Sequence, residues 1–145
     1  MSAGQICSRI VVTASPLESV RTAARRMAEH QVGTLVVVKP VEQVHPVGIL
    51  TDRDITIRCV AAGLDPERTR IEELMTQPVQ TVEEHTPLPE AIALMASGAT
   101  RRMVVTGDAG RLVGLLSLDD LLDALIDETI PIGRLLERQR PHVSA

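Results

Sequence analysis

Two short patterns in this 145-residue sequence place chemically capable side chains at matched spacing: Thr51-x-x-Asp54 and Ser117-x-x-Asp120. A hydroxyl followed three residues later by an acid is the arrangement of a helix N-cap with its return contact. It also sets a negative charge at the positive end of the helix dipole. For either pattern alone, capping is a sufficient explanation. The same geometry has a second use. A helix beginning offers unpaired backbone N–H groups, a hydroxyl and a carboxylate within one turn. The carboxylate accepts from paired sugar hydroxyls, while the N–H groups and the hydroxyl suit phosphate or ribose oxygens. The short arm of Asp holds its oxygens close to the helix end, and Gly48 and Gly114, just upstream, permit a close backbone approach.

Other constellations carry little. His30, His45, His85 and His142 are scattered without ligand spacing, so no metal site is expected. Cys7 and Cys59 form no CxxC and are read as reduced thiols, with no base beside either to make a nucleophile. Asp119-Asp120 and Asp52-x-Asp54 resemble catalytic carboxylate pairs only superficially. At a helix start one member faces the dipole and its neighbour points to solvent. No phosphate-loop, dinucleotide or nucleophile-elbow motif is present. No catalytic residue is assigned, and the expectation is a protein that is not an enzyme.

Composition narrows the partners. Lys plus Arg number 15 against 19 Asp plus Glu, a net charge of -4, and Phe, Tyr and Trp are absent. A nucleic-acid binder would concentrate positive charge and stack bases on aromatic rings, so that class is disfavoured. No run approaches the roughly 18 apolar residues of a membrane span, and Met1–Ile10 lacks a basic-then-apolar leader. The expectation is a cytoplasmic protein with no membrane partner.

The elements that must position the two patterns come in duplicate. Thr13, Val20, Ala23 and Met27 fall on Thr81, Leu88, Ala91 and Met95 at an offset of 68, as does Leu35-Val36-Val37 on Met103-Val104-Val105. Gly48 to Asp54 falls on Gly114 to Asp120 at an offset of 66. The change sits in the connection 39–46 against 107–110, where a hairpin absorbs length cheaply. Each copy, about 60 residues, is too small to bury a sufficient surface alone, so the two are expected to pack together. Both read strand, helix, strand, strand, helix. In the first copy, Val11–Thr13 is a strand; Ser15 caps a helix with Leu17, Val20, Ala24 and Met27 on one stripe, ended by Gly33. Strands Thr34–Val38 and Val47–Leu50 follow, then a helix capped by Thr51 and ending near Gly63. In the second copy the strands are 79–82, 102–106 and 111–116, and the helices 87–97 and 118–128. Met27, Met95 and Met103 are core positions.

With the repeat in view, the Gly-h-h-Thr/Ser-x-x-Asp signature in both copies and the lead-in Glu73-Leu74-Met75-Thr76 resemble a tandem pair of CBS domains, or Bateman module. The resemblance covers nearly all of 6–130. It implies an α+β fold: two β-α-β-β-α modules, small sheets with helices, packed with pseudo-twofold symmetry. The divisions expected are 6–64 and 76–132 for the modules, 65–75 for the linker and 133–145 for a frayed helical tail. CBS pairs have two clefts between modules, each able to take an adenine nucleotide or related adenosyl compound. By position, the resemblance makes Asp54 and Asp120 the ribose-binding acids, with Thr51 and Ser117 beside them. It places the base along the first strand of each module, implicating Ser8 and Val12 in one cleft and Thr76 and Gln80 in the other.

Nucleotide-binding members carry basic residues just before the central strand. Arg101 and Arg102 hold those places in the second module and form a fork suited to phosphate oxygens. The first module has Gly33 and Thr34 there. One cleft, with Asp54 supplied by the first module, is therefore expected to favour a phosphorylated ligand. The implied function is regulatory: sensing AMP, ADP, ATP, NAD or S-adenosylmethionine, with no cofactor required, and signalling to an effector protein. A homodimer is expected, because the helices leave apolar stripes that one chain does not cover. The alternative is a ligand-free structural interaction module in which the acids serve only as caps.

Overall fold

A computed structural model describes residues 1–42 and 44–139. Its elements in chain order are α1 (Ala3–Ile6), β1 (Thr13–Ala14), α2 (Val20–His30), β2 (Thr34–Val38), β3 (Pro46–Thr51) and α3 (Asp52–Asp54), which runs on as a π-helical stretch Ile55–Val60. Next come α4 (Ile71–Leu74), β4 (Thr81–Glu83), α5 (Leu88–Ser97), β5 (Arg102–Thr106), a 3₁₀ turn Asp108–Gly110, β6 (Leu112–Ser117) and α6 (Leu118–Gln139). Each half forms a three-stranded sheet, β1-β2-β3 or β4-β5-β6, parallel at its first pair and antiparallel at its second.

The central strands explain why they read as unbroken apolar runs: both faces of each are covered. Leu35 and Val37 of β2 point into the core of the first half, beside Val20, Ala23, Met27 and Leu50. Met103 and Val105 of β5 do the same in the second half, beside Ala91, Met95 and Leu116. The alternate residues Val36, Val38 and Val104 meet in a third cluster with Val11, Ile49, Val79, Leu112 and Leu115. That valine layer joins the halves. With no ring available, all three cores are aliphatic side chains, methionine and cysteine.

The stretch that leads into each half packs on the other half. Ala3 and Gly4 of α1 donate to the carbonyls of Thr86 and Glu84, at 2.9 and 2.8 Å. Ser8 pairs with Leu115 of β6 through both backbone groups, at 2.9 Å each way. Conversely, Ile71 of α4 is fully buried in the first core, and Thr76 pairs with Ile49 of β3 at 2.8 and 3.2 Å. A side chain at Gly114 would begin 2.6 Å from the Ser8 carbonyl, and one at Gly48 would begin 2.7 Å from Met75 Sδ. The close approach these glycines allow is that of the chain's own lead-in.

Several local expectations are corrected. Helix α2 begins at Val20, capped by Ser19, whose hydroxyl accepts from Thr22 N at 3.1 Å. The residues Ser15–Glu18 form a preceding turn that Glu18 closes on the Ser15 amide at 2.8 Å. Leu17 is therefore exposed, and Ala23 rather than Ala24 completes the buried stripe. The left-handed residue ending α2 is Gln31 (φ 54), not Gly33. The first strand of each half is short, Thr13–Ala14 and Thr81–Glu83. Helix α6 runs through Pro131 to Gln139 rather than ending near Glu128; residues 140–145 of the expected tail lie outside the described residues.

Candidate functional site

Strand β3 delivers the first pattern. Its alternation buries Gly48 and Leu50 and leaves Ile49 and Thr51 on the face toward the second half. Thr51 then caps α3 in both directions: its hydroxyl accepts from Asp54 N at 3.1 Å, and Asp54 Oδ2 accepts from Thr51 N at 2.9 Å. The cap occupies Oδ2. Asp54 Oδ1 looks to Arg58 Nε at a loose 3.9 Å, while Arg58 is anchored on the Leu74 carbonyl at 2.8 Å. The Asp54 side chain is 16% exposed. It is held rather than buried.

That carboxylate opens into a cavity of about 490 Å³, within the range of small-molecule sites. Thr51 and Asp54 form one wall from the first half, and Thr76 and Gln80 line the floor from the crossing lead-in. Arg101 and Arg102 line the cavity from the second half. Neither arginine has a carboxylate partner among the described residues, and both are exposed. One cavity therefore sets an acid against two guanidinium groups across the boundary between halves.

The remaining lining comes from residues the sequence reading did not single out: Ile49, Pro78 and Val79 supply apolar surface, and Gly98, Ala99 and Thr100 shape the turn into Arg101. Ile49 was signalled by strand period, since it shares a face with Thr51. The turn was not signalled by residue type. Ala99 adopts φ 48 at the end of α5, and Thr100 Oγ1 donates to the Arg102 carbonyl at 2.8 Å. Gly98 lies under the side-chain amide of Gln80, so a side chain there would displace that amide.

The second pattern repeats the cap at the start of α6. Ser117 N and Oγ both donate to Asp120 Oδ2 at 2.7 Å, and Asp120 N donates back to Ser117 Oγ at 3.1 Å. Ser8 stands beside this site through its pairing with Leu115, and Val12 accepts from Val36 N at 3.1 Å as Gln80 accepts from Val104 N. Two features separate it from the first site. At the position equivalent to Arg101 the first half has Gly33, with Asp52 Oδ2 3.0 Å from where a side chain would begin. Asp120 also borders a hollow lined by Asp123 and Asp127. Met1 and Ile6 complete that hollow, whereas the cavity at Asp54 carries Arg101 and Arg102.

Neither cysteine nor histidine adds a further centre. Cys59 is buried in the first core, and burial pushes the Cys7 thiol up. His45 bonds the Ala109 carbonyl at 3.0 Å and contacts Glu42. Among the described residues, no group of three or more His, Cys, Asp or Glu side chains is placed to hold a metal ion, and no helix is long and apolar enough to cross a membrane.

Two crossed β-α-β-β-α halves, each with a capped acid just after its last strand, define a tandem-repeat scaffold with a cavity between the halves. The chain belongs to the CBS-domain family, whose model matches residues 3–60 and 71–127, once per half. It is 38% identical over 122 residues to an uncharacterised protein of Methanopyrus kandleri, covering 84% of this chain and 61% of that one. Two solved structures are similar. The hypoxic response protein I structure, with two coordinated zinc ions, has a TM-score of 0.73 at 30% identity, covering 85% of this chain and 98% of that one. A CBS domain protein of Pyrobaculum aerophilum complexed with AMP has a TM-score of 0.76 at 26% identity, covering 88% and 99%.

Proposed function

We propose that this CBS-pair protein is a regulatory sensor rather than an enzyme, binding an adenosine-containing ligand in the cleft that Asp54 and Arg101–Arg102 share. The observation that carries the reading is that 490 Å³ cavity, lined by a carboxylate residue from one half and by two arginines from the other that have no carboxylate partner among the described residues. Asp54 and Thr51 take the ribose hydroxyls. Thr76, Gln80 and the apolar surface of Ile49 and Val79 hold the base. Arg101 and Arg102 take the phosphate. Ser8, Val12, Ser117 and Asp120 form the second cleft. The first half has Gly33 and Thr34 where the second has Arg101 and Arg102, so the second cleft suits an unphosphorylated adenosyl compound better. The AMP complex of the Pyrobaculum relative supports the ligand class. AMP, ADP, ATP and NAD suit the first cleft, and S-adenosylmethionine, which carries no phosphate, suits the second.

A ligand that touches both halves stabilises the packing it fits and shifts the protein by no more than its differential affinity allows. The halves, 6–64 and 76–132 with 65–75 between, are the moving parts. The receiver is an effector protein, reached from a cytoplasmic homodimer. A second reading, a structural interaction module without ligand, draws on the caps, since each acid already spends Oδ2 on its own helix.

Calorimetric melting against AMP, ATP, NAD and S-adenosylmethionine separates the two. A ligand at about 100 times its Kd adds about 2.7 kcal/mol to the native state. The expected result is a rise in Tm with AMP or ATP that Asp54→Ala and the double substitution Arg101→Ala/Arg102→Ala abolish. No rise with any of the four at millimolar concentration selects the structural module. Turnover of a nucleotide by the pure protein would overturn both.

A further inference from the structure

We propose that the side-chain amide of Gln80, laid on the bare backbone of Gly98, reads the edge of the base, so that the cleft selects a purine whose exocyclic amino group stands beside a ring nitrogen. This rests on the nucleotide reading of the cleft and adds to it the residue that decides which base is held.

The glycine points to it first. Gly98 closes α5 at φ -84 and ψ -4, a right-handed conformation that ordinary residues adopt. The left-handed place is the next one, and Ala99 fills it at φ 48. Helix ends usually set glycine in that left-handed place; here it falls one residue early. Backbone freedom therefore does not account for Gly98. Room does: the three atoms nearest to a Cβ placed there all belong to the Gln80 amide. The first half supplies the comparison. At the offset of 68, His30 stands for Gly98, Gln31 for Ala99 and Val12 for Gln80. Gln31 makes the same left-handed turn, at φ 54, after a residue with a full side chain. The amide and the bare backbone beneath it occur together in one half and are both missing from the other.

The amide is also unpartnered. The Gln80 backbone is fixed, its carbonyl accepting from Val104 N at 3.0 Å. Its side chain has no hydrogen-bond partner among the described residues. Gln80 lines the cavity together with Ile49, Pro78 and Val79, the apolar surface that suits a flat ring. A primary amide sets an acceptor next to a donor. Adenine answers both at once, its N6 amino group giving a hydrogen to the amide oxygen and a neighbouring ring nitrogen accepting from the amide nitrogen, the pairing glutamine makes with adenine in DNA. A purine without the amino group satisfies half of it. Val12 offers neither group, so a base in the second cleft meets apolar contact there instead.

Titration calorimetry with AMP and with purine riboside 5′-monophosphate, which lacks the amino group, tests this. Both carry the phosphate that Arg101 and Arg102 are read to hold, so the first cleft is the one titrated. The expected result is a preference for AMP of about 5- to 150-fold. It is expected to fall toward one in Gln80→Val, which borrows the first half's residue, and in Gly98→Ala, where a methyl displaces the amide. The ratio is the readout, because a general loosening of the cleft weakens both ligands alike. Melting without ligand certifies that each variant is folded, and either variant alone decides the matter if the other is not. Equal affinities in the parent, or a preference that survives Gln80→Val, would overturn the proposal and leave the cleft reading standing. Survival in Gly98→Ala would overturn the glycine's part in it. A parent that binds neither nucleotide overturns the cleft reading and this one together.

Discussion

A carboxylate that caps a helix with one oxygen still has the other to offer, and Asp54 is held in that divided state. Oδ2 closes the cap on Thr51, while Oδ1 has only a loose contact to Arg58 at the edge of the residue's cavity. Asp54→Asn keeps an acceptor for the cap and loses the charge, so it separates the two duties. Adenosine affinity is expected to fall about 10–100-fold, as for a lost charged hydrogen bond, while Tm without ligand changes little; titration calorimetry beside a melt reads both. A different acid bears on stability. Glu18 and Arg26 form two hydrogen bonds, 3.0 and 2.6 Å, with Arg26 also donating to the Thr13 carbonyl. The guanidinium holds the Glu18 carboxyl below the usual carboxylate range and is itself shifted up by that carboxyl. Because the folded-state value is the lower one, this pair stabilises the fold above the ordinary carboxylate range, and the contribution is lost as pH falls through the folded value. Glu18→Gln is expected to cost about 1 kcal/mol at neutral pH, with the gap to the parent closing in strong acid. Parallel melts across pH read it; a gap that widens toward acid would refute the assignment.

At the scale of elements, what organises the cleft is the crossing of each lead-in onto the opposite sheet, and two glycines allow it. Gly114→Ala sets a methyl 2.6 Å from the Ser8 carbonyl, a backbone atom that moves only with its strand. Gly48→Ala meets Met75 Sδ first, a side-chain atom with room to turn, and the Thr76 carbonyl at 3.0 Å. The first substitution is expected to cost about 1–3 kcal/mol and the second less; equal losses in denaturant unfolding would mean that both lead-ins yield alike. The duplicated elements themselves were legible, because a shared offset registers every paired strand and helix without reference to propensity. The two acids and their hydroxyls were legible for the same reason. The ends were not. Ser15 and Ser19 are both competent caps, and only the burial of Val20 and Ala23 selects Ser19. Gln31 takes the left-handed turn at the end of α2, where sequence alone favours Gly33 two residues on. Pro131 reads as a stop, yet the helix continues through it. The crossing left no periodic trace, since α1 and α4 are single turns whose partners lie in the other half.

For the whole molecule, the crossing erases the independence that a tandem repeat suggests. Ala3 precedes the first half in sequence and is buried in the core of the second; Ile71 precedes the second and is buried in the first. The valine layer between the sheets adds a third core that neither half owns. Opening one half would strip α4 or α1 from the other and expose Val36, Val38 and Val104 together, so partial unfolding loses packing on both sides of the break. The two halves are therefore expected to unfold in one transition, with matching calorimetric and van't Hoff enthalpies. Val104→Ala, in the shared layer, removes about two buried carbons' worth of packing, ~1–2 kcal/mol. It is expected to lower the single Tm by a few degrees without splitting the peak. Two resolved transitions, in the parent or in this variant, would show that the halves stand alone and that a ligand bound at one is not felt at the other.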